Sequence, residues 1–417
     1  MRVCVVGSGA REHALALAFA RSAQVIAAPG NPGLERSGHS IRTTLAPPEE
    51  CEADLFVIGP EAPLVDGLAD RLRAKGAAVL GPGAAGARLE GSKAFMKSVA
   101  TAAKVPTAAW TEVTTKAAAR DFFVRLGHGP YVVKTDGLAA GKGVFVTEDL
   151  DQALADVEVK LSGAAFGAAG RRLVLEEGLD GQELSLLVLC DGERCLPLPA
   201  AQDYKRALDG DRGPNTGGMG AYSPVPLADA ALVSAVMDEI VEPTLAELRR
   251  RGIDYRGVLY AGLMCDARGP KLIEYNVRFG DPEAQVVLPR LGGDFAELCL
   301  HAATGSLRDD QVTGAAPAAV CVVLAAFGYP KAVRVGDAIE GLEAAAAHEQ
   351  VTILHGATAV EGERLVSAGG RVLTVAATGS DLADARRRAY QAAEEIRFEG
   401  MQYRRDIAAE PAGGHLP

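Results

Sequence analysis

Residues 273–283 read Ile-Glu-Tyr-Asn-Val-Arg-Phe-Gly-Asp-Pro-Glu. If residues 272–277 are extended, their side chains alternate between two faces. Glu274, Asn276 and Arg278 then share one face, while Ile273 and Val277 enter a core. A carboxylate, an amide oxygen and a guanidinium in that order make a hard-cation site beside an anion site. Magnesium takes oxygen ligands and keeps waters and substrate phosphates in its shell. The run points to Mg-nucleotide chemistry. Its alternative is an edge strand with a polar outer face.

Three further segments bear on that choice. Residues 134–144 read Lys-Thr-Asp-Gly-Leu-Ala-Ala-Gly-Lys-Gly-Val between two strand patterns. Glycines there let backbone amides reach phosphate oxygens, and Lys134 and Lys142 supply charge. Walker A spacing is absent and a strand, not a helix, follows, so the expectation is a hairpin flap over phosphates. In residues 173–185 an apolar strand runs into Glu176, Glu177, a glycine turn and Glu183. Backbone groups at such a junction can read an adenine edge, and a carboxylate can accept ribose hydroxyls. Residues 202–206, Gln-Asp-Tyr-Lys-Arg, precede Gly-Pro-Asn-Thr-Gly-Gly-Met-Gly-Ala at 213–221. Adjacent cations beside an amide-rich turn in a long loop read as an oxyanion and small-substrate loop.

Other chemistries are disfavoured. Gly7-Ser8-Gly9-Ala10-Arg11-Glu12 resembles a dinucleotide fingerprint, but Glu12 holds the third glycine place. No acidic residue closes the second strand to hold a ribose, so NAD is disfavoured, while a phosphate at that helix N-terminus stays open. There is no HExxH, close His pair or GxSxG, which argues against zinc and serine-hydrolase chemistry. The seven Cys form no CxxC pair, sit mostly among apolar residues and fit a reducing cytoplasm. A net charge of -11 argues against a nucleic-acid binder working by bulk charge. No signal peptide or membrane-length apolar run is visible.

These residues need elements to position them. A chain of 417 residues is too long for one ordinary core. Residues 1–100 alternate strand and helix and predict an open parallel sheet whose ligand loops, 7–12, 29–33 and 59–63, lie at the strands' carboxyl ends. Residues 101–315 are mixed, with strands near 132–134, 173–175 and 184–189. A long amphipathic helix is expected over 228–251, and paired strands over 257–265 and 271–277. An Ala-Pro-rich stretch near 315 marks a boundary. Beyond it, strands at 320–325, 351–354 and 371–376 and a helix at 382–396 predict a third, α+β domain.

In chain order, Gly-Ser-Gly-Ala-Arg-Glu-His, Gly-Pro-Glu-Ala-Pro-Leu, Glu-Gly-Ser-Lys, the 134–144 run, Gly-Pro-Asn-Thr-Gly-Gly-Met-Gly-Ala-Tyr-Ser-Pro and Arg-Phe-Gly-Asp-Pro-Glu resemble the phosphoribosylamine–glycine ligases of the ATP-grasp superfamily. The resemblance runs to about residue 407. It implies an α/β and α+β multidomain fold: a pre-ATP-grasp sheet domain (1–100), a two-lobed ATP-grasp domain (101–315, small flap lobe about 120–190) and a C-terminal domain (316–417).

It also implies the reaction: ATP phosphorylates glycine to glycyl phosphate, and the amine of 5-phosphoribosylamine displaces the phosphate. Mg2+ or Mn2+ would sit on Glu274 and Asn276. Lys93, Lys134, Gly141, Lys142 and Gly143 would hold ATP phosphates. Glu176, Glu177 and Leu179 would lie at the adenine, and Glu183 at the ribose. Arg278, Lys134 and Asp281 would serve catalysis. Asp203, Lys205, Arg206, Asn215, Thr216, Gly217 and Gly218 would hold glycine and the sugar amine. Gly9, Arg11 and Glu61 would face the phosphoribosyl part. A cytoplasmic monomer, with transient contact to the upstream amidotransferase, is the expected setting. Two departures stand out: residues 259–264 bring no carboxylate to the metal, and Tyr204 replaces a His of some relatives. Another purine-pathway carboxylate–amine ligase, a non-catalytic nucleotide sensor and an oxidoreductase are the competing readings.

Overall fold

Short runs of Val, Ile and Leu, each closed by Gly or Pro, cannot bury both faces alone and so stack into sheets. The computed structural model describes residues 1–138, 143–163, 170–308, 312–314 and 316–411. In its first part the strands lie in the spatial order Ile41–Thr43, Gln24–Pro29, Arg2–Gly7, Leu55–Ile58, Ala78–Leu80, all parallel. This is the expected open parallel sheet. The first helix starts at Ala10 and runs to Phe19.

The small lobe is an antiparallel sheet ordered Trp110–Val113, Leu173–Glu177, Tyr131–Thr135, Val144–Thr147. Helices Lys116–Leu126 and Leu150–Leu161 cover one face, and Phe123, Val133, Val157 and Leu175 fill the space between. The large lobe carries the sheet Cys195–Pro197, Gln182–Asp191, Arg256–Asp266, Gly269–Asn276. The helix expected over 228–251 is interrupted: α-helix Ala230–Val236 passes through a π turn, Met237–Val241, into Glu242–Arg250. Pro243 explains this, because it brings no N–H and its ring crowds the carbonyl one turn back.

A fourth sheet runs Gln202–Asp203, Gly220–Ser223, Ala318–Ala325, Arg371–Gly379, Val351–His355, with helix Leu382–Ala393 packed on it. Its first two strands come from the middle of the chain. Both ends of the 204–219 loop are therefore rooted in the C-terminal sheet. A hairpin of Thr358–Glu361 and Arg364–Ser367, largely solvent-facing on its first strand, was not foreseen. All seven Cys are free, five of them buried. Among the described residues no helix is long and apolar enough to cross a membrane.

The first and last parts also touch through histidines. His13 and His355 stack with ring centroids 5.7 Å apart, and the His355 N–H donates to His13 Nδ1 at 3.0 Å. The close approach needs Gly33, whose Cβ would lie 2.2 Å from the His355 ring. Burial, then His355, lowers His13 to about 3. Burial, then Arg36, lowers His355 to about 4. Unfolded histidines titrate near 6.5. Between these values the unfolded chain binds more protons, so stability is full above about pH 6.5 and is lost as pH falls toward the folded values. Each histidine contributes roughly 1.4 kcal/mol per pH unit in that window. His13→Gln, which keeps an acceptor, should be less stable than wild type near neutrality, with the gap shrinking on acidification. Urea midpoints between about pH 7 and 5 measure this; a gap independent of pH would rule out a neutral buried His13.

Candidate active site

The strand Gly269–Asn276 pairs antiparallel with Arg256–Asp266, and the register slips by one: Gly262 faces Glu274, but Leu263 faces Leu272. Ile273 is the extra residue of a bulge. Leu272 takes the core place, and Ile273 stays half-buried, which corrects the expectation that it enters the core. Past the bulge the alternation holds. Tyr275 and Val277 are buried, and Glu274, Asn276 and Arg278 share the half-buried face. The bulge also frees two successive carbonyls: Leu272 O accepts from Thr107 Oγ1 at 2.6 Å and Ile273 O from Lys134 Nζ at 3.4 Å.

Gly262 stands opposite Glu274 and Tyr260 opposite Asn276, so the partner strand offers no carboxylate there. Burial alone would raise the Glu274 carboxyl. Lys205, Lys134, Lys93 and Arg278 outweigh it and hold Glu274 below the usual carboxylate range. Among the described residues no group of three or more His, Cys, Asp or Glu could hold a metal ion. One ionised carboxylate and one amide oxygen, ringed by cations, instead fit an ion that arrives with its own anions, as magnesium does with phosphates.

Lys134 is fixed from behind. Its Nζ lies 2.8 Å from Glu176 Oε1, and Lys97 Nζ lies 2.9 Å from Glu176 Oε2. Lys97 also donates to Thr107 Oγ1 at 2.8 Å. Burial lowers the Lys97 ammonium to about 8, against the pull of Glu176. Burial would raise Glu176, but Lys134 and then Lys97 keep it below the carboxylate range. The Glu176 side chain thus faces two lysines rather than the adenine expected beside it. Glu177 likewise turns back, accepting from the Ala109 N–H at 2.9 Å, and Leu179 is half-buried. Lys93 opens helix Lys93–Ala102 and donates to Gly137 O at 3.3 Å. Asp136 holds that helix start, accepting from Ser92 Oγ at 2.9 Å and the Ala94 N–H at 3.1 Å. Gly143 is buried and its carbonyl accepts from the Thr135 N–H at 3.0 Å. Gly141 and Lys142 lie outside the described residues.

Arg278 joins the large lobe to two helices of the first part of the chain, Glu61–Val65 and Ala84–Gly91. It donates to Glu90 Oε1 at 2.9 Å and to Asn276 Oδ1 at 3.1 Å, and its Nε lies 3.4 Å from Glu61 Oε2. Burial opposes ionisation of Glu61, but Arg278 outweighs it and lowers that carboxyl. Arg11 donates to Glu12 Oε1 at 2.6 Å and Phe279 O at 3.2 Å. The Gly9 N–H donates to Glu12 Oε2 at 2.6 Å. Glu12 therefore supplies a carboxylate of the chain itself at the N-terminus of the first helix.

In the 202–218 loop, Lys205 is ion-paired with Glu183, and its proton is held more tightly than usual by Asp203 and Glu183 despite burial. Burial, with Glu283 and Glu183 and against Lys205, raises Asp203 to about 7. Thr216 donates to Lys205 O at 2.8 Å and accepts from the Gly218 N–H at 3.0 Å. Gly218 (φ +108°) seats on the next turn, where a Cβ would come within 2.4 Å of Pro282 Cδ. Arg206 and Asn215 pair in an exposed ribbon, with Arg206 donating to Gly213 O at 2.9 Å. Asp281 accepts from Gln285 Nε2 at 2.7 Å and from Arg371 Nη2 at 2.9 Å.

The structure thus gathers Lys93, Lys134, Lys205, Glu274, Asn276, Arg278 and Glu61 and leaves Arg206 and Asn215 at the rim. Several residues were missed. Glu90 stands next to the Gly-Ser-Lys run, and Lys97 lies one helical turn beyond Lys93, so both had a local signal. Glu283, which accepts from the Tyr260 hydroxyl at 2.7 Å, belongs to the 273–283 run itself. Arg371 had none. Glu176→Gln strands two buried lysines and is expected to cost about 3–5 kcal/mol. Lys97→Met leaves one lysine on one carboxylate and should cost distinctly less in urea unfolding; equal losses would show that charge pairing does not decide.

Three sequence models of one family match in chain order: Phosphoribosylglycinamide synthetase, N domain, over residues 1–90, its ATP-grasp (A) domain over 91–284 and its C domain over 319–410. The phosphoribosylamine–glycine ligase of Streptomyces coelicolor is 50% identical, covering 99% of this chain and 100% of that relative. A solved phosphoribosylamine–glycine ligase from Thermotoga maritima is 36% identical, with a TM-score of 0.84 over 98% of this chain and 100% of that one. Biotin carboxylase from Campylobacter jejuni, solved with β,γ-ATP, shares the fold at 14% identity and a TM-score of 0.72, over 96% and 92% of the two chains. The cleft lies wholly within the stretches so matched, and the chain belongs to the phosphoribosylglycinamide synthetase family.

Proposed function

We propose that this cleft joins glycine to 5-phosphoribosylamine with ATP, giving glycinamide ribonucleotide, ADP and phosphate, the second step of de novo purine synthesis. Family membership and the full-length relatives support the reaction. The observation that carries the chemistry is the ionised Glu274 with Lys205, Lys134, Lys93 and Arg278 around it. Cations gathered around one carboxylate suit a triphosphate and an acyl phosphate, because phosphoryl transfer needs mainly positioning and charge neutralisation.

Glycine's carboxylate is a poor electrophile until it gains a leaving group. One of its oxygens attacks the γ-phosphorus, and the bond to the bridging oxygen breaks to release ADP. The amine nitrogen of phosphoribosylamine then attacks the acyl carbon. The C–O bond breaks with its electrons to phosphate, and the amine gives up a proton. Asp203, whose carboxyl burial pushes up against the pull of Lys205, is the group this loop would offer to accept it.

Lys93, Lys134 and the 141–143 flap would hold ATP phosphates, the backbone of 174–179 the adenine, and Glu183 the ribose. Glu274 and Asn276 would hold Mg2+ or Mn2+, which when bound neutralises phosphate charge. Arg278, anchored by Glu90 and Glu61, would stabilise charge on the transferring group. Lys205 and the 215–218 loop would hold glycine and the amine, with Gly9, Arg11 and Glu61 toward the phosphoribosyl part. Asp281 is taken up by Arg371 and Gln285, so its part is to set the turn after Arg278. The divisions at residues 100 and 315 belong to the same proposal, with residues 202–203 and 220–223 lent to the C-terminal sheet.

ADP release should require glycine and freshly generated phosphoribosylamine together; absence of glycine-dependent turnover would sink the assignment. Glu274→Ala should lower turnover by about 100-fold or more while the unfolding midpoint stays near wild type. Activity retained at saturating Mg2+ would refute the ligand role.

A further inference from the structure

Both backbone groups of Gly217 are taken by the C-terminal part of the chain. Its N–H donates to the Tyr329 hydroxyl at 2.9 Å, and its carbonyl accepts from Arg371 Nη1 at 2.6 Å. The same guanidinium donates to Asp281 O at 2.8 Å and to Asp281 Oδ2 at 2.9 Å. One side chain therefore binds the substrate loop to the turn that follows Arg278. The loop lies flat on it: a Cβ at Gly217 would sit 3.0 Å from Arg371 Cζ. Neighbouring Thr216 and Gly218 are bonded inside the loop, to Lys205 O and Thr216 Oγ1. Gly217 itself is solvent-exposed.

We propose that Arg371, assisted by Tyr329, is a positioning residue for the glycine and amine side of the reaction. It sets where the 215–218 loop stands relative to Arg278 and Glu283, and it makes the C-terminal sheet part of the working site. Three bonds already occupy the guanidinium, so it acts through the loop and not as a ligand for the nucleotide. Asp281 stays ionised beneath it, because Arg371, ahead of Arg11, outweighs the burial of that carboxyl. The ATP side is built from other residues, Lys93, Lys134 and Glu274, none of which Arg371 or Tyr329 touches.

This role rests on the ligase reading, and the experiment separates the two. Wild-type glycine-dependent ADP release is measured first; if it is absent, the ligase reading fails and not the clamp. KM for glycine, phosphoribosylamine and ATP is then compared for wild type, Arg371→Met, Arg371→Lys and Tyr329→Phe, alongside their unfolding midpoints. Arg371→Met should raise the glycine or amine KM by about tenfold or more, with the ATP KM within about twofold of wild type. Arg371→Lys, keeping charge and a donor, should recover part of the loss. Tyr329→Phe should raise the same constants by a smaller factor. A parallel rise in the ATP KM, or unchanged constants in all three variants, would overturn the role. If Arg371→Met does not fold, Tyr329→Phe and Arg371→Lys decide by the same split.

Discussion

The carboxylate of Glu176, shared by two buried lysines, holds the cleft together. It comes from the strand Leu173–Glu177, Lys134 from the neighbouring Tyr131–Thr135, and Lys97 from the helix that starts at Lys93. Through Thr107 the same network reaches the carbonyl of Leu272 on the strand Gly269–Asn276. Small lobe, helix and large lobe are thus joined by ions that cannot reach water, and an unpaired charge there would be costly. That cost is what holds Lys134 in place against Glu176.

The rest of the cleft follows the same rule of unbalanced charge. Glu274 stands among more cations than it can neutralise. Arg278 is balanced by Glu90 and Glu61, and Asp281 by Arg371. The lysines around Glu274 stand where ATP and the acyl phosphate would lie, each already oriented by a carboxylate or carbonyl of the chain, and Arg278 and Arg371 are likewise committed to carboxylates. Such an arrangement is prepared before a ligand arrives, so little reorganisation is left for the chemical step.

Much of this was legible in the chain. Alternation placed Glu274, Asn276 and Arg278 on one face, and strand-glycine punctuation marked the first sheet. The bulge at Ile273 was not legible, because an extra residue is defined only by the partner strand. Nor was the direction of Glu176: a strand-end acid looks the same whether it meets a ribose or a buried lysine on a helix nearly eighty residues earlier. Pro243 did carry the signal for the π turn, and it was overlooked within a long amphipathic pattern. Arg371 escaped entirely, since its partners Gly217 and Asp281 are distant in sequence and two of its three bonds go to backbone carbonyls.

The mixed parentage of the C-terminal sheet has a consequence for how the chain is made. Strand Ala318–Ala325 is buried along its whole length and sits between Gly220–Ser223 and Arg371–Gly379. During synthesis from the N-terminus, Gly220–Ser223 is complete nearly a hundred residues before its main partner exists, and only the two-residue strand Gln202–Asp203 covers its other side. An open strand edge of this kind is a place for wrong pairing. The small and large lobes can therefore settle early, but the 204–219 loop has no fixed seat until the last part of the chain has closed the edge beside it.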